Sequence, residues 1–134
     1  MSNFLKKSEI LTEIVQEIVY VAPQDWSRIV YYTERMADSK LGMRNASIER
    51  CWMGNDMTPF NTSKGAPLDA SMELYEAENK LFMFCLEDGE KWTGLGILLN
   101  STGNYRTKFY YEDIPLIEND YSTVNKRLDE ISKL

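Results

Sequence analysis

The sequence predicts an α+β fold: helices packed on a mostly antiparallel sheet of four strands or slightly more, in the order α-β-β-α-β-β-α. Two observations predict it. Three segments repeat apolar residues at helical spacing, and between them lie runs rich in β-branched and aromatic residues. The most patterned stretch, KWTGLGILLNSTGNYRTKFYYED at 91–113, holds two alternating runs around a polar turn, the signature of a hairpin. With 134 residues, 43% of them hydrophobic, the chain reads as one domain over 1–134 that can bury a core without metal or disulfide staples.

The first helix is expected from a Ser8 cap to about Val21. Ile10, Ile14 and Ile18, flanked by Leu11, Val15 and Val19, form its apolar face, and Glu9, Glu13 and Glu17 lie opposite. Ala22-Pro23 stops it, because proline offers no amide hydrogen to continue the ladder. DWSRIVYYTERM then predicts a strand from about Trp26 to Glu34, and a polar connection from Ala37 to Gly42 leads to a second near Ala46–Met53. In that second strand Ile48, Arg50 and Trp52 share a face. GNDMTPFNTSKGAP reads as a loop throughout. Asp69 or Ser71 can cap the next helix, carried to about Glu87 and stopped by Gly89. Its inward side is expected to hold Met72, Tyr75, Phe82 and Leu86, with Leu74, Leu81 and Cys85 adjoining and Glu73, Glu76 and Glu78 outward.

In the hairpin, Thr93, Leu95, Ile97 and Leu99 share one face, against Gly94, Gly96 and Leu98 on the other. Tyr105, Thr107, Phe109 and Tyr111 oppose Arg106, Lys108 and Tyr110, and Ser101–Asn104 supplies the turn. A last helix begins at Ser122, with Val124, Leu128 and Ile131 inward.

Charge is unevenly distributed. The net charge is −6, yet residues 1–66 hold eight acidic and eight basic side chains, whereas residues 67–120 hold eleven acidic and four basic. Such a field repels phosphate backbones and attracts basic proteins, so direct nucleic-acid binding is not expected. No apolar run approaches the roughly 18 residues of a membrane span. Glu9, Glu13 and Glu17 interrupt the N-terminal apolar stretch as no signal peptide would, so the expected location is cytoplasmic, with Cys51 and Cys85 as reduced thiols.

Catalytic machinery is hard to find. The chain has no histidine, which removes Ser-His-Asp and Cys-His pairs and histidine metal ligands. It has no GxxxxGK[ST] or GxGxxG loop, and ENDYSTVNKRLDE lacks the glycine of a calcium loop. Glu112 with Glu118, or Glu87 with Asp88, could do acid/base work, but no apolar pocket is legible around either pair. Cys51 has no base beside it, and Trp26, Trp52 and Trp92 read as packing residues. No catalytic residue, cofactor or metal is expected.

What remains is two acidic ledges at the base of the hairpin: Glu87, Asp88 and Glu90 before its first strand, and Glu112, Asp113, Glu118 and Asp120 after its second. A hairpin returns on itself, so Glu90 and Glu112 are expected to be neighbours in space. These seven carboxylates are the candidate binding residues for a basic partner.

The same residues carry a family resemblance. Trp26 after the first helix, Asp88-Gly89, Trp92-Thr93, Ser101-Thr102-Gly103 and Tyr111-Glu112-Asp113 follow a pattern that resembles the YezG-like family of bacterial immunity proteins, or antitoxins. The stretch after Asp113 departs from that pattern in lacking a tryptophan. The resemblance implies stoichiometric neutralisation of a cognate toxin domain, commonly a nuclease. A non-catalytic adaptor or chaperone-like module for a basic protein or peptide is the alternative, and would be told apart by binding many basic proteins equally.

Overall fold

The computed structural model describes residues 2–22, 24–38, 42–54, 60–61 and 72–134. Eight elements follow in order: α1 (Ser2–Val21), β1 (Trp26–Asp38), β2 (Gly42–Met53), β3 (Phe60–Asn61), α2 (Met72–Glu87), β4 (Gly94–Asn100), β5 (Tyr105–Tyr110) and α3 (Tyr121–Ser132). The strands form one sheet in the order β3-β2-β1-β4-β5, with every pairing antiparallel. The predicted α+β fold and element order hold, and the two-residue β3 adds a fifth strand within the expected loop. The Pro23 stop, the Asp69 and Ser71 caps, residues 39–41 of the first connection and most of the 54–67 loop lie outside the described residues.

Three elements differ from the sequence expectation in extent. Helix α1 starts at Ser2, not at a Ser8 cap. Ser8 lies inside it, and its carbonyl accepts a hydrogen bond from the Thr12 hydroxyl at 3.0 Å. The extra turns are tied down by Lys7, which bonds Glu90 at 2.9 Å and sits 4.3 Å over the Phe109 ring. Strand β1 continues past Glu34 to Asp38, and β2 starts at Gly42 rather than Ala46. Local polarity suggested a connection there, but β1 is paired with β2 along this whole length.

The sheet divides the core in two. Ile29 and Tyr31 of β1, Cys51 of β2 and Leu95, Ile97 and Leu99 of β4 meet Ile10, Ile14 and Ile18 of α1 and Leu81, Phe82 and Cys85 of α2. Trp92 is 1% exposed and packs edge-on to Phe82 at 5.2 Å. On the opposite face, Val30 and Tyr32 of β1 and Ile48 and Trp52 of β2 meet Val124, Leu128 and Ile131 of α3. Here Gly96 sets the approach: a Cβ on it would lie 2.3 Å from Ile131 Cδ1, so the absent side chain is the space α3 occupies.

Helix α2 is rotated from the expected orientation. Met72 and Tyr75, expected inward, are exposed, and Glu78, expected outward, is buried along with Leu74, Ala77, Leu81, Phe82 and Cys85. The apolar stripe alone left the rotation ambiguous by about one residue; the partner waiting beneath Glu78 decided it. That partner is Arg35, whose Nη2 reaches Glu78 Oε2 at 3.2 Å.

Candidate functional site

The hairpin's return does bring its two ends together. Thr93 N–H donates to the Tyr110 carbonyl at 2.8 Å, and the Thr93 hydroxyl donates to the Asp113 carbonyl at 3.0 Å. One residue past β5, the Tyr111 hydroxyl donates to Glu90 Oε2 at 2.8 Å. Burial pushes the Tyr111 phenol up to about 12, and the adjacent Glu90 carboxylate adds to the shift.

The seven candidate carboxylates nevertheless play different parts. Glu87 closes α2 and, like Asp88 after it, is exposed. Glu90 is committed to structure: Lys7 and Tyr111 both donate to it. Partial burial works to raise its pKa, but these hydrogen bonds prevail and hold it below the usual carboxylate value. Glu112 exposes its side chain while its carbonyl accepts from Arg127 at 2.8 Å. Asp113 is exposed at φ 64°, a left-handed conformation that aspartate tolerates better than most residues. Glu118 is exposed in the turn that leads to α3. Asp120 caps α3, accepting from the Thr123 amide at 3.3 Å and the Thr123 hydroxyl at 2.7 Å, which lowers its pKa.

The 114–120 turn is held from the α3 side of the sheet. There the buried Glu34 carboxylate accepts the amides of Leu116 at 2.9 Å and Ile117 at 2.8 Å. Glu118 and Asp120 are therefore anchored by the α3 face, and Glu87, Asp88 and Glu90 by the α1–α2 side. Sequence reasoning missed Glu34, Arg35, Glu78 and Arg127 as buried polar groups. A glutamate and an arginine side by side in the strand that carries the run IVYY were the available signal.

A second acidic surface lies between α1 and α2. A groove of about 360 Å³ is lined by Glu13, Gln16, Glu17, Glu73, Glu76, Ala77 and Lys80. Lys80 pairs with Glu13 at 3.1 Å, with both side chains nearly half exposed.

Nucleophilic chemistry finds no support in the thiols. Cys51 and Cys85 are free and buried, and burial pushes the Cys51 thiol up to about 11, far from a reactive thiolate. Among the described residues, no group of three acidic or cysteine side chains is arranged to hold a metal ion, and no helix is long and apolar enough to cross a membrane.

A family profile described as immunity protein YezG-like matches residues 8–129. The immunity protein YezG of Bacillus spizizenii is 26% identical over 114 residues, covering 81% of this chain and 71% of that protein.

Proposed function

The chain belongs to the YezG-like immunity protein family, and on that premise we propose that it protects the cytoplasm by binding a cognate toxin domain stoichiometrically, without catalysis of its own. The toxin in this reading is a basic nuclease delivered by secretion or contact. A nuclease grips phosphates with lysine and arginine, so an inhibitor that offers carboxylates in their place gains both association rate and affinity.

The observation that carries the reading is the segregation of charge onto the hairpin base. Glu87, Asp88, Glu112, Asp113 and Glu118 all expose side chains there, on main chain fixed by hydrogen bonds to Thr93, Arg127 and Glu34. Glu90 joins this base through the Tyr111 hydroxyl, and Asp120 caps α3 at the far end of the 114–120 turn. Fixed main chain under exposed charge lowers the ordering cost of association.

The test begins with the tagged chain in lysate of its own cells. The toxin is the protein retained at moderate salt that arrests growth when produced alone. Doubly substituting Glu112→Lys and Asp113→Lys is expected to weaken its binding at least tenfold and flatten the salt dependence. Unchanged affinity would take these two residues out of the interface. Retention of many basic proteins, all lost as salt rises, would mean that the ledges are a solvated surface and would favour an adaptor.

A further inference from the structure

The outer face of the α1–α2 pair carries exposed apolar side chains. Tyr20 is 84% exposed, Met72 67% and Met83 42%. Lys7 meets Glu90 and Glu13 meets Lys80, so the two helices run antiparallel. The C-terminal end of α1 therefore lies beside the N-terminal end of α2, which puts Tyr20 and Met72 at one end of the groove.

Helical spacing makes these residues continuous with the groove. On α1, Glu13, Gln16, Glu17 and Tyr20 fall at i, i+3, i+4 and i+7. On α2, Met72, Glu76, Lys80, Met83 and Glu87 form one stripe, with steps of three or four residues. That stripe is about 22 Å long at 1.5 Å per residue. It ends at Glu87, the first member of the acidic ledge.

Glu17 and Glu76 line the groove beside the Glu13–Lys80 pair. Like charges facing each other across two packed helices oppose the packing, and exposed tyrosine and methionine beside them gain nothing from solvent. Both become favourable when a basic surface with apolar flanks is seated there. Tyrosine and methionine are enriched at interface cores, where they anchor, while rim charges steer.

We propose that this seam, from Tyr20 and Met72 along α2 to Glu87, is a docking surface for the toxin. Its occupant is a lysine- or arginine-bearing segment of the toxin with apolar residues that cover Tyr20 and Met72. The inference rests on the immunity reading and extends the interface from the hairpin base onto the helical flank.

The deciding measurement is the Kd of the purified captured toxin for the wild-type chain, for Tyr20→Ala, for the double variant Glu17→Lys with Glu76→Lys, and for the ledge variant Glu112→Lys with Asp113→Lys. All the altered side chains are on the surface, and circular dichroism checks that each variant is folded. Tyr20→Ala is expected to weaken binding at least tenfold at any salt concentration. The Glu17/Glu76 reversal is expected to weaken it on the order of a hundredfold, with a reduced salt slope. If both groove variants bind within twofold of wild type, the seam is overturned and the immunity reading stands. If the wild-type chain retains no toxin, the immunity reading falls and takes the seam with it.

Discussion

Glu34 and Arg35 are neighbours on β1, are 0% and 1% exposed, and point to opposite faces of the sheet, yet each is accommodated differently. Toward α3, Glu34 accepts two main-chain amides and the Tyr32 hydroxyl. Arg127 completes that cluster without touching the carboxylate: it donates to the Tyr32 hydroxyl at 2.7 Å and to the Glu112 carbonyl, and lies 4.4 Å from the Tyr110 ring centre. Toward α2, Arg35 meets Glu78 and the Tyr75 carbonyl through a single nitrogen, Nη2, while its Nε and Nη1 have no hydrogen-bond partner. Burial raises the Glu78 pKa against the opposing pull of Tyr31 and Arg35.

The difference separates two uses of buried charge. The Glu34 carboxylate is satisfied by groups that cannot leave, since amides belong to the backbone. It ties the 114–120 turn, and with it the α3-side carboxylates, to the central strand. Glu78 accepts from side chains alone, and Arg35, which adds only the Tyr75 carbonyl, is incompletely satisfied, so the pair's desolvation cost offsets most of its attraction. Its structural effect is to set the rotation of α2, which turns Met72 and Glu76 outward.

The contrast can be broken by substitution. Glu34→Leu and Glu78→Leu are each expected to destabilise by about 3–5 kcal/mol in urea unfolding, by orphaning donors in one case and a buried guanidinium in the other. Rescue distinguishes them. Adding Arg35→Met to Glu78→Leu is expected to recover about 1–4 kcal/mol of the loss by removing the buried guanidinium, although the Tyr31 hydroxyl gives up its carboxylate acceptor. Adding Arg127→Met to Glu34→Leu is expected to lower stability further, because the Leu116 and Ile117 amides stay unpartnered and the Tyr32 hydroxyl and Glu112 carbonyl lose their donor. Equal rescue in both pairs would erase the distinction.

A smaller effect is expected at the α3 contact. Gly96→Ala should cost about 1–3 kcal/mol through overlap with Ile131. Unchanged unfolding would show that α3 can shift without loss and that its position is softer than the Glu34 anchor implies.

The smallest effect concerns the half-exposed periphery. Lys7→Met is expected to cost under about 1 kcal/mol at neutral pH. Glu90 has a lowered pKa in the fold, so its pairing stabilises the protein above the ordinary carboxylate pKa and is lost as pH falls through the lowered value. Wild type and Lys7→Met should therefore converge in stability at acid pH. A difference that persists there would mean that Lys7 acts by packing on Phe109 instead.

Much of the candidate site was legible locally. The alternation in 91–113 predicted that Glu90 and Glu112, at the two ends of the hairpin, would be neighbours, and Tyr111, the residue before Glu112, bonds Glu90. The capping role of Asp120 was not anticipated, because Ser122 offered an equally good local start for α3. The α1–α2 groove was legible only in halves. Glu13 and Glu17 were expected on the outward face of one helix, and Glu73 and Glu76 on that of another, with nothing in the sequence to place the two faces together.

Periodicity and turn chemistry, both properties of a few consecutive residues, determined that this chain forms α-β-β-α-β-β-α, where its hairpin turns, and that its negative charge gathers after residue 67. The sheet order that inserts β4 beside β1, the rotation of α2 that buries Glu78, and the separation of the carboxylates between two faces depend on contacts between residues tens of positions apart. Arg35 reaches Glu78 across 43 positions, and Glu34 reaches Leu116 across 82. Such pairings are chosen by which buried charge finds a partner once the layers close, and only the tertiary structure decides that.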